Sequence, residues 1–192
     1  MTHWMSQARC FLMNNVLRLS LFLCVVIGCA LATTRCIVLN VSPSIPLGFY
    51  FATNDAPSVG RLVEFRLNAS TKKRFRDVPI CKRRYAAILK PIAAGPGDQV
   101  DTTSDSLWIN GLPIAPILTT DSNGRSLAVW RANRVLGSDE FFVFSARVPN
   151  SFDSRYFGLV LRSEIIAVRT PLWTWGAAYE HDATSDVGVL GD

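Results

Sequence analysis

The sequence predicts an all-β domain that follows one apolar N-terminal helix. Residues 62–67 alternate with period two, which is the pattern of a half-buried strand. Gly95-Pro-Gly-Asp98 is a strong turn signal, and Asn110-Gly111 between two apolar runs is typical of a hairpin. Beyond the N-terminus, no apolar stripe with helical spacing is longer than two turns. Strands therefore account for the folded part of the chain.

Other apolar stretches supply the remaining strands. Residues 85–94 are interrupted by Lys90-Pro91, where we expect an edge strand or a bulge because proline has no N–H for the ladder. Residues 141–144 form a short run of the buried type. Residues 127–132 and 164–169 are further strand candidates.

The N-terminal segment, residues 1–35, predicts either a retained membrane anchor or a cleaved secretory signal. Its uncharged run of 16 residues lies between Arg18 and Arg35. As a helix this run measures about 24 Å, which is shorter than the roughly 30 Å of a hydrocarbon core. Ala30-Leu31-Ala32 would serve as a signal cleavage site. Both alternatives carry the residues after Arg35 out of the cytoplasm.

Two further segments follow: a β-rich domain over residues 36–175 and a small, acidic tail over residues 176–192, which we expect to be disordered. Of five cysteines, only Cys36 and Cys81 follow the apolar run; they could pair, but they make no disulfide framework. The net charge of +5 comes partly from basic runs at residues 72–76 and 82–84. No nucleic-acid-binding motif accompanies them, so we expect solvated loops or contact with anionic lipid and no direct nucleic-acid binding.

One serine is held in a stiff, extended turn. Ser44 lies between Pro43 and Pro46, and each proline fixes its own φ and restricts the residue before it. Such a serine either terminates a strand or is presented as a nucleophile. At most about 30 Å of extended chain separates it from Arg35, so a nucleophile here would lie close to a bilayer.

A serine nucleophile needs a group that takes its proton. The two histidines, His3 and His181, lie before the apolar run and in the tail, which argues against a Ser-His-Asp triad. Lys90 stands alone among apolar neighbours, and burial of a lysine favours the neutral form that can act as a base. An edge-strand lysine that points outward is the alternative.

A polar block near the end of the domain carries a third set of candidate residues. Asp153 and Arg155 are two residues apart, with Ser151 two residues earlier, so on an extended strand all three share one face. This spacing suits an internal ion pair with a hydroxyl group that orients a neighbouring base.

Together these stretches resemble the type I signal peptidases. The resemblance rests on Ser44 followed by an apolar residue and a proline, on Lys90 before the Gly-Pro-Gly-Asp turn, and on the block Ser-Phe-Asp-Ser-Arg-Tyr-Phe-Gly at residues 151–158. It runs in order over residues 36–175.

Two details are similar to the conjugative-transfer, TraF-type branch of that family. They are the form Ser-x-Ser-x-Pro-x-Gly-x-Tyr at residues 42–50 and the sequence Thr-Pro-Leu-Trp at residues 170–173. General signal peptidases usually carry arginine after the lysine and methionine after the serine, where this chain has Pro91 and Ile45.

The resemblance implies a signal-peptidase-like β domain of antiparallel sheets that form a partly closed barrel. It makes Ser44 the nucleophile and neutral Lys90 the general base, and it implies neither a cofactor nor a metal. The Ser44 N–H and the Ser42 hydroxyl would bind the oxyanion. The supporting residues would be Ser151, Asp153 and Arg155: the first would hydrogen-bond Lys90, and the other two would fix the loop.

The implied function is that of a membrane-associated serine endopeptidase at the bacterial inner membrane, with its catalytic domain in the periplasm. If residues 1–35 are cleaved, the endopeptidase would instead be a periplasmic protein. Its implied partners are a pilin precursor or another polypeptide emerging from the membrane, inner-membrane lipid, and other proteins of a conjugative transfer apparatus. The acyl-enzyme can be resolved by the substrate's own amine, which gives a cyclic pilin. A general signal peptidase for secretory precursors and a catalytically inactive assembly factor are the alternatives.

Overall fold

A computed structural model describes residues 15–25, 28, 36–76, 78, 81, 87–120, 124 and 126–175. The chain divides into two compact units, residues 1–38 and residues 39–192. In the first unit, helix α1 spans residues 15–25 and its apolar side chains are exposed. Within the described ranges, no helix is long and apolar enough to cross a membrane. Most of residues 1–35 and all of residues 176–192 lie outside these ranges, so the anchor, the signal and the disordered tail stay predictions.

The β domain consists of eleven strands and two short helices among its described residues. The strands are β1 Ile37–Asn40, β2 Leu47–Thr53, β3 Leu62–Phe65, β4 Ile88–Ala94, β5 Gln99–Thr102, β6 Ser106–Ile109, β7 Leu112–Pro116, β8 Asn133–Val135, β9 Glu140–Val143, β10 Val160–Leu161 and β11 Ile165–Trp175. The helices are α2 Ala69–Arg74 and α3 Ser154–Phe157, and a 3₁₀ turn spans Arg162–Glu164.

The strands form two sheets. The larger has the order β1-β2-β11-β3-β4-β9-β10, and its pairings from β2 to β10 are antiparallel. The smaller is antiparallel with the order β7-β6-β5-β8. The larger sheet curls into a half-barrel. The predicted fold, an antiparallel and partly closed β domain with an N-terminal helix, is confirmed.

Both predicted turns form. In the turn at residues 95–98, the Asp98 N–H donates to the Gly95 carbonyl at 3.0 Å. An Asp98 carboxylate oxygen accepts the Gly95 N–H at 2.8 Å. In the second, Asn110 and Gly111 have φ of 52° and 79°. Two consecutive positive φ values are typical of a two-residue hairpin turn, which joins β6 to β7.

Of the two alternatives predicted near Lys90-Pro91, the structure favours the bulge. Strand β4 lies between β3 and β9, so it is not an edge strand, and its ladder with β9 shifts register between Ile92 and Ala94. The strand predicted over residues 127–132 is wrong. Residues 127–132 are not a strand, because their backbone bonds go elsewhere: the Trp130 N–H donates to the Arg155 carbonyl, and the Thr102 hydroxyl group accepts from the Ala132 N–H. Strand β8 begins only at Asn133.

The hydrophobic core decides where Lys90 lies. Burial alternates along β4, and Lys90 is on the buried face together with Ile88 and Ile92. That face packs on Val63 and Phe65 of β3, within the main apolar cluster. A lysine in an interior strand of the half-barrel is thereby kept from water.

Candidate active site

The Ser44 turn joins β1 to β2; residues 41–43 are exposed and residues 44–46 are buried. Ser44 is 5% exposed, and its Oγ lies 3.1 Å from the Ser42 Oγ, within hydrogen-bond distance. The next residue, Ile45, packs in a small apolar cluster with Tyr50 and Leu62. The turn thus has an apolar anchor at Ile45, and the two serine hydroxyl groups predicted to act together are adjacent.

Lys90 is buried and bonded as predicted. It is 4% exposed, and its Nζ donates to the Ser151 Oγ at 2.7 Å. Burial lowers the pKa of Lys90 from the ordinary 10.5 to about 8; the Asp153 carboxylate opposes this shift and the Arg155 guanidinium adds to it. Burial dominates because it removes the water that stabilises an ammonium group. The lysine is therefore partly neutral near neutral pH.

Asp153 and Arg155 form a fully buried ion pair. They are 0% and 2% exposed. The guanidinium donates two hydrogen bonds to the carboxylate, from Nε to Oδ1 at 2.8 Å and from Nη2 to Oδ2 at 3.0 Å. Arg155 also donates to the Pro116 and Ser151 carbonyl oxygens and lies over the Phe144 ring. A buried charge pair that is bonded on this many sides can be held in a protein interior.

The local structure around this pair differs from the prediction. Residues 154–157 are helix α3, and Asp153 is its N-cap, whose side chain accepts the Arg155 N–H. The prediction that Asp153 and Arg155 share one face of an extended strand is therefore wrong. A cap geometry brings the same two side chains together, because an N-cap carboxylate reaches the backbone of the first turn.

Ser44 and Lys90 are in the same buried region without a direct bond. Among the hydrogen bonds of the described residues, none joins the Ser44 Oγ to the Lys90 Nζ. A chain of contacts connects them instead: the Ser145 hydroxyl group donates to the Ser44 carbonyl, and the Ser145 N–H lies 3.5 Å from an Asp153 carboxylate oxygen. Asp153 in turn acts electrostatically on Lys90.

Two residues of this region were not predicted from the sequence: Ser145, two residues after the end of β9, and Asn40, the last residue of β1. The Asn40 side chain makes hydrogen bonds to four backbone groups of the Ser44 turn. An asparagine next to a proline-rich turn is a known turn-forming signal, and it was available in the sequence. Ser145 gives no such signal, because it is 101 residues away from the group that it contacts.

Cys81 is a buried free thiol, so the pairing with Cys36 left open by the sequence is not made. Both histidines, His3 and His181, lie outside the described residues. No cluster of three or more metal-ligating side chains occurs within the part of the chain that the structure describes.

Comparison with known proteins agrees with these motifs. The family model "Signal peptidase, peptidase S26" matches residues 11–174. The chain is 33% identical over 145 residues to "Plasmid transfer protein TraF" of Escherichia coli, which covers 71% of this chain and 82% of that protein. It is 32% identical over 147 residues to "Conjugal transfer protein TraF" of Agrobacterium fabrum, covering 71% and 81%.

Among solved structures, a signal peptidase I from Enterococcus faecalis is similar at 19% identity and a TM-score of 0.36, over 62% of this chain and 100% of that one. The family match and the sequence relatives confirm the resemblance that the motifs indicate. The chain therefore belongs to the signal peptidase family, peptidase S26, and within it to the branch of the TraF-type transfer proteins.

Proposed function

We propose that this protein is a serine endopeptidase in which Ser44 is the nucleophile and Lys90 the general base. The observation that carries the proposal is the state of Lys90: buried in an interior strand, hydrogen-bonded to Ser151, with its pKa lowered to about 8. With that pKa, about a tenth of the lysine is neutral at pH 7. A lysine with the ordinary pKa of 10.5 would be neutral about 300 times more rarely.

Each step of the reaction has a group in the site. Neutral Lys90 takes the Ser44 Oγ proton as the oxygen attacks the scissile carbonyl, and the ammonium then protonates the leaving amine. The Ser44 N–H and the Ser42 hydroxyl group bind the oxyanion, a contribution of several kcal/mol in such sites. The Ser44–Lys90 hydrogen bond forms when substrate is bound, since catalytic hydrogen bonds are often long in the free enzyme.

Asp153 and Arg155 support this chemistry without taking part in it. Their mutual pairing leaves the Asp153 charge only partly available to Lys90, so burial still dominates the pKa of the lysine. Ser151 accepts one Nζ hydrogen and thereby fixes where the amine points.

The proposed substrate is a pilin precursor of a conjugative transfer apparatus. The names of the relatives, plasmid and conjugal transfer proteins, support a role in transfer, and the family supports cleavage of a polypeptide that emerges from a membrane. The acyl-enzyme is then resolved by water or by the substrate's own amine. We place the β domain in the periplasm at the inner membrane, where such a substrate and other transfer proteins are found.

The experiment is co-expression of the full chain with a candidate pilin, followed by intact-mass spectrometry of the pilin. We expect processing by the wild type and none by Ser44→Ala, with hydrolysed and cyclised products differing by the mass of one water. Processing by Ser44→Ala would contradict the proposal. Cleavage of bulk secretory precursors would favour a general signal peptidase, and transfer that persists with an uncleaved pilin would favour an inactive assembly factor.

An exposed aromatic patch supports the assignment of inner-membrane lipid as a partner. It consists of Phe49, Phe51, Leu172, Trp173 and Trp175, all exposed, on the neighbouring strands β2 and β11. Phe49 and Trp173 each make an edge contact with the Trp175 ring, at 5.9 and 6.3 Å between centroids. Tryptophan side chains favour the membrane interface, and β2 begins three residues after Ser44.

Lipid contact by this patch has a direct fluorescence test. With vesicles that contain brominated lipid, we expect quenching of tryptophan emission in the wild type and loss of most of it in the double variant Trp173→Phe/Trp175→Phe, which keeps the apolar surface. Trp108→Phe, in β6 of the smaller sheet, is the matched control and should retain the quenching. Equal quenching in the double variant and the wild type would exclude the patch from the bilayer.

A further inference from the structure

The turn that carries Ser44 is held from two sides by buried polar side chains. One is Asn40, which is 7% exposed, and the other is Ser145, which is 3% exposed. Neither belongs to the proposed dyad, to the oxyanion donors or to the Asp153–Arg155 pair. A buried amide and a buried hydroxyl group are retained only where their hydrogen bonds are made.

Asn40 holds the turn from the β1 side. Its Nδ2 donates to the carbonyl oxygens of Ser42 at 2.8 Å, Pro46 at 3.0 Å and Ile45 at 3.2 Å. Its Oδ1 accepts the Ser42 N–H at 3.1 Å. The two Nδ2 hydrogens are shared among these three carbonyl oxygens, and the amide oxygen accepts the Ser42 N–H. A side chain that supplies both donors and an acceptor at this position matches asparagine.

Ser145 holds the turn from a distant part of the chain, 101 residues after Ser44. Its hydroxyl group donates to the Ser44 carbonyl, which Asn40 does not reach. Its own N–H faces the Asp153 carboxylate at 3.5 Å. Ser145 is thus the one residue, among those that the structure describes, with hydrogen bonds to both the Ser44 turn and the Asp153–Arg155 pair.

Together these contacts bracket one peptide group, the Pro43–Ser44 peptide. The carbonyl before it, that of Ser42, is bonded to Asn40, and the carbonyl after it, that of Ser44, is bonded to Ser145. Pro43 has no N–H, and the Ser44 N–H donates to no acceptor in the hydrogen bonds of the described residues. With both neighbouring peptide planes fixed, the direction of this unused N–H is fixed as well.

We propose that Asn40 and Ser145 are positioning residues that aim the Ser44 N–H at the developing oxyanion. The inference rests on the proposed function, because it assigns that N–H to the oxyanion site. A fixed donor is effective because it needs no reorganisation when charge develops, and a misplacement of about 1 Å costs about 10²-fold in rate. The substrate in its ground state carries no oxyanion, so the fixed direction of the Ser44 N–H adds little to substrate binding.

The test compares the full chain in detergent micelles as wild type, Ser145→Ala and Asn40→Asp. The matched control is Thr102→Val, in β5 of the smaller sheet. It removes a buried hydroxyl group that donates to the Trp130 carbonyl. Three quantities are measured: kcat and KM for a cleavable peptide, the affinity of a peptide aldehyde that adds to Ser44 as a tetrahedral adduct, and the NMR order parameter of the Ser44 amide.

We expect kcat to fall about 10- to 100-fold in Ser145→Ala with KM nearly unchanged, and aldehyde affinity to fall by the same factor as kcat/KM. The Ser44 amide should lose order in both variants, whereas Thr102→Val should change neither kcat nor that amide. Wild-type kcat in Ser145→Ala would overturn the inference. An unchanged order parameter of the Ser44 amide in a folded variant would also overturn the inference, whether or not the peptide is cleaved. Absence of cleavage by every form, the wild type included, would instead count against the proposed function.

Discussion

Lys90→Met is expected to abolish cleavage and to leave the β domain at least as stable as the wild type at pH 7. The variant removes the only proposed base. It also removes a buried ammonium group whose pKa is lowered from 10.5 to about 8, a difference that corresponds to about 3 kcal/mol of lost stability when the lysine is charged. Peptide cleavage and thermal melts at pH 7 measure the two effects.

The sign of this effect depends on pH. Below about pH 8, the lysine is protonated in the folded and the unfolded chain, so the full cost of burying the charge applies. Between about 8 and 10.5 the folded chain loses the proton first, so stability rises with pH. The advantage of Lys90→Met in the melting temperature should therefore shrink as the pH is raised over this window.

The control for this variant is Lys73→Met, which removes an exposed lysine of α2 and should change neither activity nor the melting temperature. Substantial cleavage by Lys90→Met would remove the lysine from the mechanism. Loss of the folded state in Lys90→Met at pH 7 would show that the ammonium is stabilised by its surroundings, contrary to the effect of burial on its pKa.

Asp153→Ala is expected to lower the melting temperature and the activity together. The carboxylate is fully buried and holds the Arg155 guanidinium with two hydrogen bonds. Removing one member of a buried pair leaves an uncompensated charge, which typically costs about 3–5 kcal/mol. Thermal or denaturant unfolding of the full chain, with cleavage assays of the same samples, measures both quantities.

A second buried pair provides the control for Asp153→Ala. Arg169 of β11 binds Glu64 of β3 with little exposure of either side chain. Glu64→Ala should lower stability with little effect on cleavage, because among the described residues the Glu64 carboxylate hydrogen-bonds to Arg169 and not to the Ser44 turn or to Lys90. If Asp153→Ala is inactive but melts with the wild type, the carboxylate acts directly in the chemistry, and its assignment as structural support is wrong.

Local patterns predicted what depends on local geometry. Period-two alternation located β3, and the positive-φ turn residues located the hairpin between β6 and β7. The apolar surroundings of Lys90 indicated a buried lysine, which the structure confirms, whereas its role as a base stays a prediction. The contact of Lys90 with Ser151 spans 61 residues of sequence and was expected only through the family resemblance.

The failures have a common physical origin, which is competition from distant partners. Residues 127–132 have the composition of a strand, but Arg155 and Thr102 take up their backbone groups. Pro91 lies in an interior strand because its missing N–H is tolerated beside an irregular ladder, where its carbonyl still accepts from Phe144. Asp153 and Arg155 were correctly paired, but through a helix cap rather than a strand face.

The pH dependence of kcat/KM tests the Ser44–Lys90 assignment most directly, because it reports the pKa of essential groups in the free enzyme. We expect kcat/KM to rise with pH along a single ionisation with a midpoint of about 8, as Lys90 loses its proton. A midpoint near 6.5, the range of an unperturbed histidine, would contradict the account and direct attention to His181. A midpoint near 10.4 would equally contradict it, because the base would then be a lysine that burial has not affected.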